Sequence, residues 1–231
     1  ANGTVKKTAL TDFARQRSVG LRALELDEGD VLVGTAITDG KCDVMLFSSE
    51  GKAARFKESD VRAMGRTARG VRGIRLGEGH RMISLIIPEA GGKVLSVSEN
   101  GSGKRTEIDE FPSKGRGNKG VIAMSTSARN GKLVGAVQVF DGDELMLISN
   151  QGTMVRTRTD EVSVLGRNTQ GVRVIRTKEG EFLVGVERID EPAQDPELFG
   201  PDDADSADTA SADADSAAPK TNDETGDDGA E

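Results

Sequence analysis

Two sets of glycines recur along the chain at a nearly constant interval, and this register limits the possible folds more sharply than any other feature. Gly3, Gly51, Gly101 and Gly152 are spaced by 48, 50 and 51 residues, and Gly20, Gly70, Gly120 and Gly171 by 50, 50 and 51. Two independent markers that keep one register through four units define a repeat array. In such an array each unit is one supersecondary block that buries its faces against its neighbours. The units cover about residues 1–40, 41–90, 91–140 and 141–190.

Each unit reads as short extended segments punctuated by turn residues. In the second these are residues 44–48, 53–57, 71–76 and 82–87. The first and last are continuous apolar runs, the pattern of strands covered on both faces. Residues 53–57 and 71–76 instead carry arginines between their apolar positions. Apolar segments at 44–47, 94–97 and 145–148 lead into Glu50-Gly51, Asn100-Gly101 and Gln151-Gly152, which predict two-residue hairpin turns. Asn2-Gly3 carries the same signal with no strand ahead of it, as expected of a fragment cut inside a hairpin. Glycine is abundant and no stretch sustains a helical apolar stripe. The pattern predicts an all-β, propeller-like disc of about four four-stranded blades.

Charge divides the chain in two. Residues 191–231 hold 14 of the 39 acidic residues and one of the 31 basic ones, so the body is near +5 and the tail near −13. The tail repeats Asp, Ala and Ser, buries too little apolar surface to offset its chain entropy, and is expected to be disordered. A basic body points to an acidic partner such as nucleic acid. The single cysteine, Cys42, excludes a disulfide framework and a cysteine zinc site, in keeping with a reducing cytoplasm. No apolar run approaches the roughly 18–20 residues of a membrane span, and the first residues lack a signal-peptide core.

Cations hold the same register as the glycines. Four positions after each first landmark stand Lys7, Arg55, Arg105 and Arg156; four positions before each second landmark stand Gln16, Arg66, Arg116 and Arg167. The loops R-Q-R-S-V-G, G-R-T-A-R-G, K-G-R-G-N-K-G and G-R-N-T-Q-G add Arg17, Arg69 and Lys119. Arginine and lysine among glycine and small polar residues suit close approach to a phosphate backbone. A solvated face with no partner is the plainer reading, but recurrence in every unit favours a continuous cationic stripe. With no tryptophan or tyrosine, and phenylalanines mostly in apolar runs, base-stacking platforms are lacking, so duplex DNA is the expected ligand. Gly115–Gly120 matches G-x-G-x-x-G formally, yet it leads into another strand rather than a helix and is not a dinucleotide site. His80 stands alone in a turn, and no nucleophile, base and orienting group can be assembled. The chain by itself is expected to carry no catalytic residue, cofactor or metal.

The runs V-K-K-T (5–8), V-M-L-F-S-S-E-G-K (44–52), R-F-K-E-S-D-V-R-A-M-G (55–65), G-V-R-G-I-R-L-G-E-G (70–79), G-A-V-Q-V (135–139) and V-R-T-R-T-D-E-V-S-V-L-G-R-N-T-Q-G-V (155–172) closely resemble the C-terminal domain of the bacterial DNA gyrase A subunit. The resemblance covers about residues 2–190. It implies a six-bladed β-pinwheel whose blades exchange a strand and whose outer rim wraps duplex DNA, these units being the last four of six. It further implies a place in an ATP-dependent type II topoisomerase, a heterotetramer that holds the rest of the gyrase A subunit together with the gyrase B subunit, with ATP and Mg used by other parts. The family's box Q-R-R-G-G-K-G is absent, and K-G-R-G-N-K-G at 114–120 lies in a later blade and does not inherit its role. The alternatives are a protein-binding propeller scaffold and the equivalent domain of the topoisomerase IV A subunit.

Overall fold

A computed structural model describes residues 1–15 and 18–189, so the expectation of a disordered acidic tail lies outside the described residues. The described chain is all β, with four short 3-10 turns and no α-helix, and hence no helix long and apolar enough to cross a membrane. The first unit contributes β1 (Thr4–Val5), and the second β2 (Asp43–Ser48), β3 (Lys52–Lys57), β4 (Val71–Arg72) and β5 (Met82–Ile86). The third contributes β6 (Lys93–Ser98), β7 (Ser102–Glu107), β8 (Val121–Ile122) and β9 (Leu133–Val139). The fourth contributes β10 (Glu144–Ser149), β11 (Met154–Arg158), β12 (Val172–Arg173) and β13 (Leu183–Ile189).

Three strands of a unit stay together. β2 pairs antiparallel with β3 and β5, β6 with β7 and β9, and β10 with β11 and β13. The fourth leaves: β4 pairs with β1, β8 with β3 and β12 with β7. Periodicity alone places the segment at 71–76 in the sheet of its own unit; Val71–Arg72 pair instead with the preceding unit, the strand exchange that the resemblance implies. The sheets therefore hold four, four, three and two strands. In the first unit, residues 31–38 correspond to β5 but form no strand, because this unit has no counterpart of β2 for them to pair with. Beside them a cavity of about 590 Å³ opens against Val5, Val33, Leu46 and Phe56.

The hairpins are wider than a two-residue turn. Phe47 pairs with Ala53, Gly51 donates its amide to the Ser48 carbonyl at 2.9 Å, and Gly51 follows that turn with φ +81°. This is a turn closed by a left-handed bulge residue, the three-residue loop of antiparallel hairpins.

The core lies between blades. Met45 and Phe47 meet Val94, Phe111, Met124 and Leu133, and the Phe47 and Phe111 rings meet edge-on with centroids 6.0 Å apart. Leu95 and Val97 meet Leu145, Leu147 and Leu183 in a second cluster. Every residue of β2 and β6 after the first is buried, whereas β10 alternates between buried and half-buried, because no further blade covers its second face among the described residues. Each such side chain withdrawn from water contributes about 1.5–3 kcal/mol, so a blade is stable through its neighbours. β5 packs beside β9 and β9 beside β13, forming the inner edge of the array. The exchanged strands β4, β8 and β12 stand at the opposite, outer edge.

Strand exchange explains both glycine sets. The carbonyl of Gly101 accepts the amides of Val174 and Ile175 at 2.8 and 3.2 Å, and a Cβ on Gly101 would stand 2.4 Å from the Ile175 carbonyl oxygen. Gly3 receives Gly73 and Ile74 in the same way, and Gly51 receives Ala123 and Met124. At the other side of this junction a Cβ on Gly171 would stand 2.6 Å from the Gly103 carbonyl oxygen. The two landmarks are the two halves of one seam: the first receives the incoming strand and the second begins it.

Candidate nucleic-acid interface

Three of the four cations that follow the first landmark face the seam between blades. Arg55, on β3, donates from Nη1 to the carbonyls of Ile108 and Phe111 at 3.1 and 3.2 Å and from Nε to Asp43 Oδ2 at 2.8 Å. Arg105, on β7, is 8% exposed and bonds the Val162 carbonyl at 2.8 Å, Asp141 at 3.0 Å and Asp160 at 3.4 Å. Lys7 reaches the Glu58 carbonyl at 3.2 Å and its carboxylate at 3.3 Å. In each case the carbonyl acceptors lie in or directly after the 3-10 turn of the following unit, so these bonds tie that turn to the preceding blade. Lys7, Arg55 and Arg105, read from the sequence as phosphate contacts, are thus engaged in joining blades. Arg156, which has no following turn to reach among the described residues, is exposed and pairs with Glu144.

The cations of the second register stand at the outer edge. Arg116 donates from Nε to the Asp60 carbonyl at 2.8 Å and from Nη1 to the Arg72 carbonyl at 3.1 Å. Arg167 repeats the arrangement one unit later, to the carbonyls of Glu110 at 3.0 Å and Ile122 at 2.5 Å. Arg66 makes the longer counterpart to the Arg22 carbonyl at 3.5 Å. A guanidinium has five donors, and these bonds use two of them at most. The rest are held in a fixed plane suited to bidentate phosphate binding. Arg69 is exposed and pairs with Asp27 and Glu25, and Lys119 is exposed with no hydrogen bond or ion pair to any described residue. Arg17 lies outside the described residues.

Sequence reasoning missed Arg72, Arg75, Arg173 and Arg176. All four are exposed on or just beyond the exchanged strands β4 and β12. The signal was present in V-R-G-I-R and V-R-V-I-R, where arginine alternates with apolar residues. It became legible as an outer edge only once those strands were seen to leave their own sheets. Together with Arg116, Lys119 and Arg167 they place cations along three consecutive seams.

Other polar clusters are committed elsewhere. Ligand atoms of Asp39, Cys42 and Glu58 lie within 4.8 Å of one another. Here, however, the Cys42 thiol donates to Glu58 at 3.1 Å, and Lys7 and the Gly40 amide hold the same carboxylate. Burial, aided by Glu58, pushes the thiol up to about 11, so Cys42 is a neutral thiol rather than a thiolate ligand. His80 Nδ1 shares a hydrogen bond of 3.2 Å with the Ser49 hydroxyl in a turn.

Residues 1–39, 43–89, 92–139 and 143–190 match the family described as the DNA gyrase C-terminal domain, beta-propeller. Among curated proteins the chain is 54% identical over 193 residues to the DNA gyrase A subunit of Pseudomonas aeruginosa, covering 84% of this chain and 21% of that protein. It is 53% identical over 198 residues to the DNA gyrase A subunit of Escherichia coli K12, covering 86% and 23%. The chain thus spans about a fifth of the length of these relatives. A solved DNA gyrase A C-terminal domain superposes with a TM-score of 0.72 at 28% identity, covering 81% of this chain and 63% of that one. The C-terminal domain of DNA topoisomerase IV gives 0.76 at 26% identity, covering 81% and 59%. About half of the aligned residues are thus shared with these curated gyrase relatives, and the two solved domains share the fold at about half that identity. Four matching segments, one per repeat and together spanning nearly all described residues, show that the chain belongs to the DNA gyrase C-terminal domain family.

Proposed function

We propose that the outer edge of the blade array binds duplex DNA through its phosphates and bends it, as the wrapping element of a gyrase A subunit. The observation that carries this reading is the recurrence of exposed or carbonyl-anchored cations at each seam. Bending 20–30 base pairs through 40–90° costs on the order of 1–6 kcal/mol, which one contact does not offset and a series of contacts along an arc does. Backbone carbonyls fix Arg116 and Arg167, so little side-chain entropy is lost when phosphate arrives. In this reading the DNA-cleaving chemistry, ATP and Mg belong to other parts of a cytoplasmic type II topoisomerase built from two kinds of chain, and this chain supplies DNA geometry.

The test is the salt dependence of binding to a duplex of mixed sequence. Replacing Arg72, Lys119 and Arg173 together by alanine is expected to lower the magnitude of the slope of log K against log salt by about 2.7, near 0.9 per lost phosphate contact. A slope equal to that of the unsubstituted chain would overturn the assignment of the outer edge.

A further inference from the structure

Lys104 is the one lysine on β7, and its side chain is 0% exposed. Its ammonium donates to the Gly166 carbonyl at 2.7 Å, the Arg167 carbonyl at 2.5 Å and Thr169 Oγ1 at 3.1 Å. All three acceptors belong to the loop G-R-N-T-Q-G of the next unit, which carries Arg167 at the outer edge. Three donors meet three oxygens, so the hydrogen bonding is complete, yet every partner is neutral. Ser96, opposite Lys104 on β6, is neutral too, and its buried hydroxyl has no partner. Two charged groups face the ammonium: Glu110, from the 3-10 turn of its own unit, and Arg167. Glu110 is itself engaged by the Arg167 amide at 2.7 Å.

The repeat supplies an internal comparison. Positions equivalent to Lys104 hold Lys6, Ala54 and Val155. Lys6 props the loop of the second unit by the same bond, to the Arg66 carbonyl, and also reaches Ala23. Where Ala54 stands, the loop of the third unit is propped from within: Asn118 donates to the Gly115 carbonyl at 2.6 Å and accepts the Gly120 amide. Any of these devices shapes the loop, so a buried cation is not needed for shape alone. What the lysine adds is a unit charge directly beneath the loop.

We propose that Lys104 is a positioning residue for DNA binding: its buried ammonium orients the 166–171 loop from below and lends it positive charge, coupling phosphate binding at that loop to uptake of a proton. This rests on the reading of the outer edge as the DNA contact. Burial, with Arg167 opposing and Glu110 favouring the charged form, brings Lys104 down to about 8. The free protein is then partly deprotonated in mildly alkaline solution. A phosphate placed on the loop favours the ammonium and raises its pKa, so the protein holds more protons in the complex than when free. Affinity must accordingly fall as pH rises through 8, by about fivefold, the effect of one unit charge on a phosphate a few ångströms away in water-like surroundings.

The experiment is calorimetric titration of the chain with a 40-base-pair duplex at pH 8 in buffers of different ionisation enthalpy, for the wild type and Lys104→Met. The wild type is expected to take up a measurable fraction of a proton and to lose about fivefold in affinity between pH 7 and 9.5. K104M is expected to bind about fivefold more weakly at pH 7, to take up less and to have a flatter profile. Equal proton uptake by the two proteins overturns the proposal. If K104M does not fold, NMR titration of the Lys104 ammonium with and without DNA decides instead, and a pKa that DNA leaves unmoved overturns it. No DNA binding by the wild type at pH 7 would refute the wrapping function itself, a different result from binding without proton linkage.

Discussion

Gly101 and Gly152 occupy equivalent positions with nearly the same backbone, at φ +77° and +81°, yet in different surroundings. A Cβ on Gly101 would stand 2.4 Å from the Ile175 carbonyl oxygen and 2.9 Å from its Cγ2, while around Gly152 nothing lies within 4 Å. Gly152→Ala therefore carries only the cost of an L residue in the left-handed region, about 1–2 kcal/mol. Gly101→Ala carries that cost and must also push the incoming strand away. The displacement gives up the two bonds from Val174 and Ile175 to the Gly101 carbonyl, each worth about 1 kcal/mol net. The expected losses are about 1–2 kcal/mol for Gly152→Ala and 3–4 kcal/mol for Gly101→Ala. With a urea dependence near 2 kcal/mol per molar, the midpoints of the two variants should differ by about 1 M. Hydrogen exchange should locate the difference, with the Val174 and Ile175 amides losing protection in Gly101→Ala and keeping it in Gly152→Ala. Equal destabilisation of the two variants would refute the idea that the glycine register exists to admit an exchanged strand.

Three further outcomes are expected. Arg105→Ala, which removes a buried guanidinium and leaves the Val162 carbonyl without its donor, should cost about 2–3 kcal/mol in chemical unfolding, whereas loss of the exposed Arg156–Glu144 pair should cost under about 1 kcal/mol. Glu181 is held down to about 2 by hydrogen bonds from Thr153 and Ser149 and from the Lys178 amide. Its folded pKa lies below the unfolded one, so its contribution is full above about pH 4.5, is lost as pH falls towards 2, and Glu181→Gln should flatten that part of the stability profile. Truncation after Ile189 removes a segment carrying about −14 and should tighten DNA binding at low ionic strength, with the gain shrinking as salt is added; equal binding at low salt would show that the segment does not compete with phosphate.

Spacing made the repeat legible, and apolar runs located the strands, because both are local properties of the chain. The identity of each strand's partner was not local. β4, β8 and β12 are two residues long, too short to reveal whether they pair within their unit or with a neighbour. The same gap hid the role of Arg55 and Arg105. An arginine amid apolar residues reads as an exposed cation until the carbonyls that receive it, more than 50 residues onward, are brought beside it by the fold. Arg72 and Arg173 were passed over, since their exposure comes from lying on the outermost strand. Lys119 needed no such knowledge: a lysine between asparagine and glycine, in a loop with no apolar neighbour to draw it inward, is exposed as its composition suggests.

A blade whose outermost strand comes from the unit after it has a bearing on synthesis. While the ribosome is adding the third repeat, the second has its three local strands and still lacks β8, which lies 64 residues beyond the end of β3. Each blade must therefore wait with an open edge until roughly one more repeat has emerged, about 2.5–10 s at 5–20 residues per second. During that wait the vacant edge can accept the equivalent strand of a different nascent chain, and the near-identical spacing of the repeats does little to reject it. Translation rate across the linkers between repeats thus becomes a determinant of how faithfully the array assembles.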